Sequence, residues 1–171
     1  MKKIYKIIIF VLLMILFTLI MTVFIMFKGA QKYEEKTLNL KYDNTWITAK
    51  SSNNSVSLNH KTGGKLDIKV EEIDNEKVNN NIDEFSSDIA YMIDELDSSY
   101  KLIAKSEDKI TKKGYAGYKM LYENDNSEIL VTIFRKDDML ITVIYTAKSE
   151  NFDILLDSVN TIVYNMEVGR L

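Results

Sequence analysis

The chain has 171 residues, one histidine, no cysteine and no proline. That length fits one domain plus an anchor, and the missing cysteine excludes disulfides, thiolate metal sites and lipoprotein attachment through a cysteine. All 25 acidic residues but only 18 of the 22 basic ones follow Lys28, so the part beyond it carries a net charge of −7 and is a poor electrostatic match for nucleic acid or anionic lipid.

Residues 1–6 read as a short cytoplasmic stub. The run Ile7 to Phe27 has no charged residue and only two polar ones, Thr18 and Thr22. Its 21 residues make roughly 31 Å of helix, matching the roughly 30 Å hydrocarbon core of a bilayer. A lone segment in lipid pairs its own amides only as a helix. The run therefore predicts one transmembrane helix, with the bilayer as its partner. A removable signal peptide is the rival, but its apolar core would be shorter, and Lys28 precedes the small pair Gly29-Ala30. Thr18 and Thr22 read as bonded to their own backbone rather than as a helix-pairing motif. Lys2, Lys3 and Lys6 precede the run, so the N-terminus is expected in the cytoplasm and the rest of the chain outside.

Residues 28–37 read as a polar spacer, and 38–171 as one extracytoplasmic domain. Leu38, Leu40 and Tyr42 alternate with polar residues, as in a half-buried strand. Asp43-Asn44 turns the chain toward Trp46 and Ile47. Val56 and Leu58, then Leu66, Ile68 and Val70, flank His60-Lys61-Thr62-Gly63-Gly64, which is the pattern of a hairpin. The period then changes. Ile82, Phe85, Ile89, Met92, Ile93 and Leu96 form one helical stripe, with Asn81 and Glu84 placed as a capping box.

Leu102 to Ile110 predicts a strand, and Gly114 and Gly117 interrupt the segment after it. Tyr118, Met120 and Tyr122 alternate. Ile129–Phe134 and Met139–Ala147 are apolar on both faces and predict central strands. Ser149 is expected to cap a last helix with the stripe Phe152, Leu155, Leu156, Val159, Ile162, Val163 and Met166. The order predicts an α+β domain: one antiparallel sheet with two packing helices.

This order resembles the PsbP-like family, whose fold is shared by a photosystem accessory subunit, a Ran-release factor and many bacterial envelope proteins. The residues that carry the resemblance are Tyr42 to Trp46, the hairpin at Gly63-Gly64 and the mid-chain helix. With them go the entry Gly114-Tyr115-Ala116-Gly117-Tyr118 and the helix after Phe152, so the likeness covers residues 38–168. Where the family often has proline before the tryptophan, this chain has Asp43-Asn44-Thr45. The resemblance implies a fold and an accessory or binding role, and carries over no catalytic residues.

The chemistry-bearing residues do not assemble into a recognisable site. His60 stands at a hairpin end beside flexible glycines, a poor setting for a triad. Lys61-Thr62-Gly63, Ser52-Asn53-Asn54 and Ser106-Glu107-Asp108-Lys109 match three elements of penicillin-recognising enzymes, but in the wrong order and on the wrong elements. A calcium loop starting at Asp125 would put Leu130 and Lys136 where glycine and glutamate are needed. The acidic run Glu71, Glu72, Asp74 and Glu76 reads as a solvated edge. No phosphate-binding glycine loop precedes a helix. No catalytic residue, metal or cofactor is expected.

Tyr115, Tyr118 and Tyr122 are the candidate partner or ligand surface, since tyrosine is favoured at interfaces. The expected function is a membrane-anchored, non-enzymatic binding or adaptor domain of a cell-envelope complex, with an unidentified envelope protein as partner. The alternative is a tethered small-ligand sensor or carrier with a pocket between the mid-chain helix and the sheet.

Overall fold

A computed structural model of the chain describes residues 30–35, 37–73 and 82–169. The chain divides into two units, Met1–Gln31 and Lys32–Leu171. Among the described residues no helix is long and apolar enough to cross a membrane. The stub, the expected spanning run Ile7 to Phe27 and the cap Asn81 lie outside the described residues.

The elements run β1 (Ala30–Glu34), β2 (Leu38–Asp43), β3 (Trp46–Ser52), β4 (Ser55–His60), β5 (Gly64–Glu72), α1 (Ile82–Leu96), β6 (Lys101–Lys109), β7 (Ala116–Glu123), β8 (Ser127–Lys136), β9 (Met139–Lys148), α2 (Ser149–Tyr164) and β10 (Glu167–Val168). Two sheets form, not the single one expected. One has seven strands in the order β3-β4-β5-β9-β8-β7-β6, and the other has three in the order β1-β2-β10. The ladders of the large sheet are antiparallel throughout.

The turns follow from their residues. Gly63 has φ +100°, which a side chain disfavours, and it lets β4 fold back on β5. The Asn124 side-chain carbonyl accepts the N–H groups of Asn126 (3.0 Å) and Ser127 (2.9 Å), closing the β7–β8 hairpin. At Gly117 a Cβ would collide with the Ile133 carbonyl and lie 2.6 Å from the Phe134 Cβ, so only glycine lets β7 approach β8 there.

Because side chains alternate along strands, the large sheet has two distinct faces. Val56, Leu58, Leu66, Ile68 and Val70 meet Ile141, Val143 and Tyr145 on the first face. There α2 lays down Phe152, Leu155, Val159 and Ile162, and the small sheet adds Leu38, Leu40 and Tyr42. Trp46 has no exposed surface, and its indole N–H donates to the Ser158 hydroxyl at 2.9 Å, joining β3 to α2. The second face carries Met120, Tyr122, Ile129, Val131, Ile133 and Leu140 under Ile93 of α1. The expectation of two helices packed on a sheet holds, with one helix on each face.

Three further details differ from the sequence reading. The polar segment 28–37 is not only a spacer, because β1 forms within it. Its Tyr33 is buried, and the phenol donates to the Ser52 carbonyl at 2.7 Å. One buried side chain in a polar stretch is too little pattern to announce a strand. Ser149 is the first residue of α2 rather than its cap. Lys148 holds the cap position without a side-chain bond, and the Ser149 N–H is taken by the Asn126 carbonyl at 3.1 Å. Finally, β10 returns to β2, with Val168 opposite Leu38. A two-residue strand has no period to read.

Candidate binding surface

The residues of types used in catalysis are dispersed or already engaged. The His60 Nδ1 accepts the Thr62 N–H at 3.2 Å and lies 2.8 Å from the Thr62 hydroxyl. Its ring meets Trp46 edge-on, with centroids 4.9 Å apart. The imidazole is thus a clasp for its own turn. Ser106 and Lys109 lie on β6, at the opposite end of the seven-stranded sheet from the Ser52–Asn54 turn that joins β3 to β4. At about 4.8 Å per strand, the edges stand some 29 Å apart, too far for one active site. Among the described residues no cluster of acids or histidine could hold a metal ion. The Glu71 carboxylate pairs with Lys69 at 2.7 Å, and Asp74 and Glu76 lie outside the described residues.

The three tyrosines are not brought together. Tyr115 packs toward the first-face core, stacked on Phe134 at 6.4 Å. Tyr118 and Tyr122 lie on the second face. Tyr122 is only 3% exposed, and its hydroxyl contacts the Met120 sulfur at 3.8 Å. Burial raises the Tyr122 hydroxyl above its usual pKa, with Lys105 opposing that shift. Tyr118 is half-buried, with the Lys105 ammonium 5.1 Å from its ring centroid. Of the three, Tyr118 is the one near the surface on the second face.

The second face is incompletely covered. On α1, Ile93 is buried and Ile89 packs beside it. Met92 and Leu96 belong to the same stripe by their spacing. Yet Met92 is 41% exposed and Leu96 72% exposed. Leu102 stands opposite Tyr122 in the β6–β7 ladder, so it points to this same face. It is 51% exposed, and Ile103, at the bulge between Leu102 and Ala104, is 50% exposed. Every residue of β6 is exposed. The result is an apolar corner where α1 passes into β6.

The corner is held by polar clips. The Ser99 N–H donates to the Asp97 carboxylate at 2.9 Å, and the Asn124 amide reaches the Ser99 hydroxyl at 3.2 Å. Bonds from Ser99 and Asn124 hold Asp97 below the usual carboxylate pKa. They tie the end of α1 to the β7–β8 hairpin, and so fix where Leu96 is presented. Sequence reading missed this surface because the α1 stripe has the period of a fully packed helix. The signal was in β6, whose Lys101, Lys105, Glu107, Asp108 and Lys109 mark an edge strand.

On the first face, a polar groove of about 530 Å3 runs between α2 and the outer strands. It is lined by Lys109, Lys119, Asp157, Asn160 and Tyr164, among others.

The architecture has solved counterparts. The cyanobacterial PsbP (CyanoP) of Synechocystis sp. PCC 6803 superposes with a TM-score of 0.63 at 16% identity, over 82% of this chain and 92% of its own. The Saccharomyces cerevisiae Ran-binding protein Mog1p matches with a TM-score of 0.55 at 10% identity, over 81% of this chain and 95% of its own. No protein-family model and no curated protein matches the chain. At these identities the likeness establishes a PsbP-like fold and nothing about activity.

Proposed function

We propose that the protein is a single-pass, membrane-anchored, extracytoplasmic binding or adaptor domain without enzymatic activity, accessory to a cell-envelope protein complex. The observation that carries this reading is the apolar corner of Met92, Leu96, Leu102 and Ile103, exposed on an otherwise acidic domain. Soluble surfaces seldom cluster large apolar side chains unless a partner covers them. A neighbour described as Ran-binding adds that this fold serves protein recognition elsewhere. The uncharged run Ile7 to Phe27 supports the anchor.

The test is a photocrosslinker placed at Leu96 or Leu102 in the full chain, activated in intact cells. One dominant envelope protein should be captured, and Leu96→Asp with Leu102→Asp should lose it. Capture of nothing, or capture unaffected by the double change, would refute the reading. Protease added to intact cells should digest the domain; a protected domain would refute its placement outside.

The polar groove beside α2 favours a second reading, a tethered small-ligand sensor or carrier. The groove lies on the first face, not beneath α1 where the sequence expectation put it. A ligand held there would raise the melting temperature, and Tyr164→Ala would abolish that rise.

A further inference from the structure

The two ends of the seven-stranded sheet differ. β3 is likewise exposed beyond Trp46, but its ladder is bulged between Thr48 and Lys50, and side chains of the small sheet reach it: Tyr33 donates to the Ser52 carbonyl and Tyr42 bonds the Thr48 hydroxyl at 2.7 Å. At β6, no described strand pairs beyond the ladder to β7. This edge is nine residues long and exposed throughout. After the bulge at Leu102/Ala104 it runs regularly from Ala104 to Lys109. A regular, uncovered edge is a template for another strand.

From this we infer that β6 pairs antiparallel with β6 of a second copy, about a two-fold axis at Ser106. The register follows from charge. In a symmetric antiparallel pair one residue faces its own copy, and residues equally spaced on either side face each other. An axis on Lys105, Glu107 or Asp108 would set like charges face to face. An axis on Ser106 sets Lys105 opposite the partner's Glu107, twice over, and neutral Ser106 against itself. Both residues project to the second face, because Lys105 stands opposite Met120 and Glu107 opposite Tyr118. The Lys105 ammonium keeps its place over the Tyr118 ring, and the partner's Glu107 meets it from across the axis.

The consequence is one continuous sheet through both copies. The two apolar corners then lie on the same face, with Leu102 of one copy about 20 Å along the strands from its mate: the bulge makes Leu102 to Ser106 span only the three residues from Tyr122 to Lys119, six in all at roughly 3.4 Å each. A partner bound there would meet two equivalent sites. This pairing is independent of the membrane-adaptor reading.

The chain has no cysteine, so a single introduced one reports cleanly. In full-length protein in intact cells, Ser106→Cys should give a disulfide-linked dimer on mild oxidation. Opposed residues in an antiparallel pair are about 4.5–5.5 Å apart at Cα, within reach of a disulfide. Ala104→Cys should link at least tenfold less, since its copies would stand four residues apart, roughly 13 Å. Adding Glu107→Lys to Ser106→Cys should cut the link roughly tenfold by opposing lysines, and Lys105→Glu with Glu107→Lys should restore it. A monomeric Ser106→Cys chain, equal linking at Ala104→Cys, or indifference to Glu107→Lys would each overturn the pairing. So would a link to a different protein at that cysteine. None of these outcomes bears on capture at Leu96, so the two proposals fail separately.

Discussion

The two faces of the large sheet use the same strands to different ends. The first face is closed twice, by α2 and by the three-stranded sheet, and its largest side chains, Trp46, Tyr145 and Phe134, are fully buried. The second face has only α1 over it among the described residues, and the C-terminal end of the α1 stripe stays in solvent. Hydrophobic burial scales with area removed from water. The first face therefore carries more of the stability, and the second leaves apolar area for a partner. What distinguishes them is how many elements return to cover each face, since both are lined by apolar strand residues.

The largest break in this contrast is Trp46→Ala. It empties a fully buried site and removes the bond to Ser158, so urea unfolding should show a loss of about 3–5 kcal/mol. A loss below about 1 kcal/mol would mean that the first face is not the dominant core. On the second face, Ile93→Ala should cost about 2 kcal/mol, near the low end for such truncations, because a singly covered layer can settle into the gap.

Tyr145→Phe sharpens the comparison through pH. The Tyr145 hydroxyl donates to the Phe152 carbonyl at 3.0 Å, and losing that bond should cost about 1 kcal/mol at neutral pH. Burial, with Glu128 and Asp153 adding to it, pushes this hydroxyl from 10.0 up to about 12. The unfolded chain ionises near pH 10 while the folded one still holds the proton. The stabilising contribution is therefore whole below pH 10 and is lost as pH rises from 10 to 12. Melting temperature should fall across that window less steeply in Tyr145→Phe than in the parent chain. Equal slopes would count against a buried, neutral phenol.

The smallest effect belongs to Leu96→Ser. With most of its surface already in water, it should change stability by less than about 0.5 kcal/mol while weakening partner capture. A large loss of stability would show that Leu96 is covered within the domain itself.

The local elements were legible where the period was long and the solvent contrast strong. β2, β4, β5 and β7 follow alternation, β8 and β9 are runs apolar on both faces, and α1 and α2 follow apolar stripes, with the β4–β5 turn set by Gly63. The candidate tyrosines were chosen by residue type, and alternation alone sends Tyr118 and Tyr122 to one face. It cannot say that Tyr122 is roofed over, or that Tyr115, in the loop before β7, turns to Phe134.

The sequence by itself determined the apolar run before Lys28, the acidity beyond it, and which side chains of each strand and helix share a face, because these depend only on composition and repeat. The tertiary structure alone decided that β1, β2 and β10 leave the main sheet, that the helices take opposite faces, and that β6 ends as a bare edge beside Leu96 and Leu102. Those outcomes depend on contacts between residues far apart in the chain, such as Trp46 with Ser158 and Leu38 with Val168, and no local pattern encodes them.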